Sequence, residues 1–80
     1  MQQLVAESRF RQLRESLYVS REAVIRRTKS VSIGTLRNAE MGKPVRHQTA
    51  RQLHEAINAL LSEAGKPTVA MDDLRLIAKL

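Results

Sequence analysis

The sequence predicts an all-α domain of four or five short helices, and three observations carry that expectation. Apolar residues recur at three- and four-residue steps along nearly the whole chain. Ser, Gly and Pro fall between those runs, at positions that start and stop helices. No stretch alternates apolar and polar residues over a useful strand length. Eighty residues allow one modest core but not two, so residues 1–80 are expected to form a single compact domain.

The elements follow in order. Val5 or Ala6, Phe10, Leu13 and Leu17 mark a first helix over about residues 4–18. Ser20 suits an N-cap, Glu22 favours the first turn of a second helix, and Val24, Ile25 and Thr28 carry that helix to about residue 29. Ser30, Val31 and Ser32 read as a turn, with Ser32 capping a third helix over about 32–41 that holds Leu36 and Ala39. Gly42 stops it, with Pro44 beyond, and 43–47 reads as a polar loop. Ala50, Leu53, Ala56, Ile57, Leu60 and Leu61 form the apolar stripe of a fourth helix, stopped by Gly65 and Pro67. Residues 71–80, with Met71, Leu74 and Ile77 on one face, fit either a fifth helix or an extended tail.

Charge is concentrated. Residues 9–51 hold eleven Arg/Lys against Glu15, Glu22 and Glu40, a net of +8 within a chain of net +6. A basic segment on an otherwise balanced protein is the footprint expected for a polyanion partner. Phe10 and Tyr18 are the only aromatics, which argues against single strands bound by base stacking. The basic residues do not oppose a wide Phe/Trp-rich apolar face, which argues against a membrane-surface helix. The chain has no cysteine, no apolar run long enough to span a bilayer and no leader-like start, so a cytoplasmic protein is expected. His47 and His54 lie seven apart without an acidic ligand at metal spacing, and no phosphate loop or catalytic triad pattern is present. The expectation is therefore no enzyme, no metal and no cofactor.

Two short helices joined by a tight turn make sense only as a packed unit. Over residues 19–43 this chain resembles the Xre family of lambda-repressor-like helix-turn-helix domains. The resemblance is carried by Val19-Ser20-Arg21-Glu22, Val31-Ser32, Thr35-Leu36 and Glu40-Met41-Gly42-Lys43, with Leu13-Arg14 upstream and Thr49, Leu53, Ala56 and Ile57 downstream. It extends over about residues 10–58. The turn before Ser32 is one residue longer than the family pattern and lacks its glycine, Ile25 replaces a small residue, and the loop before the fourth helix is longer by one.

What the resemblance implies is a cytoplasmic, bacterial or phage transcriptional regulator that binds double-stranded DNA sequence-specifically, with a helix-turn-helix core at about 20–41. It implies base contacts from Ile33, Gly34, Arg37 and Asn38, with the third helix in the major groove. It implies phosphate contacts from Arg21, Lys43 and Arg46, with His47 nearby and Arg26, Arg27 and Lys29 acting at longer range. Ser20 and Ser32 are open to two roles, helix capping and phosphate donation. Arg14 and Glu40 are the family's positions for a structural ion pair between the first and third helices. A homodimer is expected, its surface formed by the fourth helix and 71–80 unless these close the monomer core. The alternative is a protein-interaction module, such as an antitoxin, or the N-terminal domain of a larger regulator.

Overall fold

The computed structural model describes residues 8–79, in which helix dominates and the only strands are two residues long. Four α-helices span Arg9–Ser16 (α1), Arg21–Ile25 (α2), Ile33–Glu40 (α3) and His47–Glu63 (α4). A 3-10 turn follows at Met71–Leu74, and two short strands, Val45–Arg46 (β1) and Ala78–Lys79 (β2), pair in parallel.

The longest helix is the spine. Leu53, Ala56, Ile57 and Leu61 of α4 are buried against Phe10 of α1, Val24 of α2, Leu36 and Ala39 of α3, and Leu74 of the 3-10 turn. The stripe recurs every three or four residues, so it stays on one side of α4 through more than four turns. The short helices bury one to three positions each and depend on α4 for their stability.

Helix ends explain the differences from the sequence expectation. Residues 4–7 lie outside the described residues, and α1 stops at Ser16, short of residue 18. Tyr18 takes a left-handed conformation (φ 57°), its N–H bonded to Glu15 O at 3.0 Å and the Val19 N–H to Arg14 O at 3.4 Å. Gly42 (φ 83°) and Gly65 (φ 73°) end α3 and α4 with the same pair of reversed bonds, at the cost of no Cβ clash. The second helix ends at Ile25 instead of reaching residue 29. Arg27 and Thr28 bond three residues back, and the Thr28 hydroxyl donates to Ile25 O at 2.8 Å, so the chain tightens out of α-geometry.

Two further expectations need correction. The stretch 43–47 is not all loop: Val45 is buried in β1, its N–H donating to Ile77 O at 2.8 Å, and α4 starts at His47. Residues 71–79, the described part of the segment 71–80, form neither a fifth α-helix nor a plain tail. Leu74 is fully buried, so this segment closes the core of its own chain. Asn58 and His54 of α4 hold it there. The Asn58 amide exchanges hydrogen bonds of 2.9 and 3.0 Å with Val69, and His54 Nε2 lies 2.8 Å from Val69 O.

Tyr18 is 96% exposed and no packing compensates its backbone strain. Relief of a left-handed non-glycine residue outweighs the added freedom of glycine in the unfolded chain. Tyr18→Gly is expected to raise unfolding free energy by about 0.5–1 kcal/mol in urea titration, without changing the slope with denaturant.

Candidate nucleic-acid interface

The orientation of α3 follows from its periodicity. Leu36, Ala39 and Glu40 are buried, whereas Gly34, Arg37 and Asn38 are exposed and Ile33 is half-buried at the edge. Ile33 and Arg37 stand one turn apart, as do Gly34 and Asn38, so the four share the outer face. Ser32 caps the helix: its Oγ accepts from Thr35 N–H at 3.2 Å and sits 3.0 Å from Thr35 Oγ1. Ser20 does the same for α2, accepting from Ala23 N–H at 3.1 Å.

Beside that face runs a polar trough. Thr35 and Asn38 of α3 face Arg46, Gln48, Thr49 and Gln52 across a hollow of about 360 Å³. A second hollow of about 380 Å³ shares Gln48 and Gln52 and continues to Lys29 and Arg51. Gln52 fixes the wall between them. Its Oε1 accepts from the N–H groups of Lys29 (3.0 Å) and Ser30 (3.1 Å), and its Nε2 donates to Ser30 Oγ at 3.2 Å.

The cations fall into two sets. Arg26, Lys29, Arg37, Lys43, Arg46 and Arg51 are exposed and have no carboxylate partner among the described residues. Arg46, His47 and Arg51 also lie at the start of α4, which has no acidic residue in its first turn. The helix dipole makes that end positive already, so cations there raise the local potential further. Arg27, by contrast, is paired with Glu63 of α4, one bond measuring 2.6 Å. The hydrogen bond from Arg27 holds the Glu63 carboxyl below its ordinary range, opposed by burial and helped by the charge of Arg27; the same hydrogen bond, with the charge of Glu63, raises Arg27. The contribution of that pair is present above the usual carboxylate range and fades as pH falls through the lowered one. Being exposed, it is screened by salt.

Arg14, Arg21 and Glu40 form one buried cluster. Glu40 is completely buried. Arg14 of α1 grips it with Nε–Oε2 at 2.6 Å and Nη2–Oε1 at 3.2 Å, and its Nη1 donates to Val19 O at 3.0 Å. Arg21 of α2, whose side chain is 27% exposed, adds Nε–Oε1 at 3.0 Å. Sequence reasoning placed Arg21 on the outer surface alone; the structure turns its inner edge to Glu40. Of the phosphate-contact candidates, Lys43 and Arg46 point outward and Ser20 and Ser32 serve as caps.

The sequence did not single out Gln48, Arg51 or Gln52. Arg51 carried a readable signal, since it falls one turn after His47 on the polar side of the fourth helix; Gln52 carried none. Among the described residues no group of three or more His, Cys, Asp or Glu gathers at metal-binding distance, and no helix is long and apolar enough to cross a membrane. Comparison with known proteins gives no match to any family model, curated protein or solved structure.

Removing Glu40 strands two guanidiniums, one almost fully buried. Glu40→Gln and Arg14→Met are each expected to cost about 3 kcal/mol or more in chemical denaturation. Their double mutant should lose clearly less than the sum. Arg21→Met should cost less than either, because water reaches its side chain. Additive losses for Arg14 and Glu40 would show the contact to be energetically empty.

Proposed function

We propose that the chain binds double-stranded DNA as a sequence-specific regulator, with α2 and α3 acting as a helix-turn-helix unit of the Xre, lambda-repressor-like kind. One observation carries the reading: among the described residues nothing covers the outer face of α3, where Arg37 is exposed and Asn38 lines a trough together with Arg46, a cation without a carboxylate partner among those residues. An α-helix with its side chains is about 10–12 Å across, which the major groove, about 12 Å wide, admits.

The side chains suit defined tasks. Asn38 carries a donor and an acceptor on one amide, the pattern adenine presents in the major groove. Arg37 suits guanine or a phosphate, and Ile33 a thymine methyl. Lys43 and Arg46 follow α3 and clamp one phosphate run, with Arg51 and Lys29 extending it along the second hollow. Arg21 has its Nε committed to Glu40, which leaves its outer nitrogens oriented for a phosphate.

The test is fluorescence anisotropy with duplexes selected from a random pool. With about four to six phosphates neutralised, log K should fall against log salt with a slope of about −4 to −5. A flat salt dependence removes the duplex reading and favours a protein-interaction module. Asn38→Ala and Arg37→Ala should each cost about 1–3 kcal/mol on the selected site and flatten sequence preference. Lys43→Ala, Arg46→Ala and Arg51→Ala should weaken all duplexes alike and reduce the slope by about one each.

A further inference from the structure

Gly34 occupies the second position of a helix only eight residues long, where glycine is the poorest helix former short of proline. Nothing among the described residues calls for it. A Cβ built at Gly34 meets no heavy atom within 4 Å, whereas the glycines that take left-handed backbone are Gly42 and Gly65. Neither crowding nor backbone handedness explains the residue.

We infer that Gly34 is the point of closest approach between α3 and its duplex, and that its missing side chain is what lets Asn38 reach a base. The inference rests on the duplex reading above. Gly34 and Asn38 lie one turn apart on the same exposed stripe, so whatever stands at 34 sets the depth at which 38 is held. Asparagine has a short side chain, and it can meet an adenine edge with both amide atoms only if the helix lies deep in the groove. Glycine permits such close backbone approach. The first turn of α3 thus trades its own helix stability for depth, and specificity at 34 comes from the absence of a side chain.

Three variants test this, measured by thermal melting and by anisotropy on the duplex selected by the wild-type protein. Gly34→Ala should raise Tm by roughly 2–6 °C, since alanine favours helix and the space is open. It should nonetheless weaken binding about tenfold or more, with the salt slope unchanged. In the Gly34→Ala background, Asn38→Ala should cost less than about twofold further, because Asn38 is already lifted from its base. Asn38→Gln in that background, one methylene longer, should recover part of the lost affinity. If Gly34→Ala binds as tightly as wild type, or if the losses at 34 and 38 multiply, the inference fails and the duplex reading stands. A lowered Tm for Gly34→Ala would show the space to be filled, and also overturns it. If the wild-type protein binds no duplex with salt dependence, the duplex reading fails first.

Discussion

The buried carboxylate of Glu40 is the contact on which the arrangement of the three short helices turns. It lies in the last turn of α3, the end where the helix dipole disfavours a negative charge, and it is cut off from water. Two guanidiniums make that position tolerable. Arg14 comes from α1 and Arg21 from α2, so one carboxylate ties three helices together. The backbone strengthens the joint, since Ser8 N–H donates to Glu40 O at 3.2 Å and Arg14 reaches the connection after α1 through Val19 O. A buried ion pair adds little net stability over an apolar replacement, but breaking one leaves an uncompensated charge. Its value here is directional. With Glu40 held inward, the periodicity of α3 leaves Gly34, Arg37 and Asn38 no direction but outward.

The long helix α4 supplies the second constraint. Its apolar stripe is the surface on which α1, α2 and α3 settle, and its polar side serves two different ends of the chain. Gln52 holds the turn between α2 and α3 by its backbone, while His54 and Asn58 hold the extended segment at Val69. That segment then delivers Leu74 to the core and β2 to the edge of β1. The pairing fixes the strand that leads into α4, and with it the place where Arg46 emerges beside Thr35 and Asn38 of α3. The trough is thus a product of the same contacts that close the core.

Much of this architecture was legible in the residues. The stripe of α4, the caps at Ser20 and Ser32 and the stops at Gly42 and Gly65 are local signals, each written within a few residues of where it acts. Arg14 and Glu40 could be paired only through resemblance, because twenty-six residues separate them and nothing local links them. Arg21 shows the limit more sharply. A basic residue in the first turn of a helix signals an exposed charge, yet its inner edge meets a carboxylate that arrives from another element.

What the sequence determined by itself is the set of helices, their apolar faces and the concentration of positive charge in residues 9–51. These depend on periods of three to four residues and on composition, which are properties of the chain in one dimension. Only the tertiary structure decided that α2 tightens after Ile25, that residues 71–79 return as a turn and a strand, and that Gln48 and Gln52 line a trough with Thr35 and Asn38 of α3. Those outcomes depend on hydrogen bonds between residues far apart in sequence. A two-residue strand has no period to read, and a glutamine that caps a distant turn looks like any other polar residue until the turn is beside it.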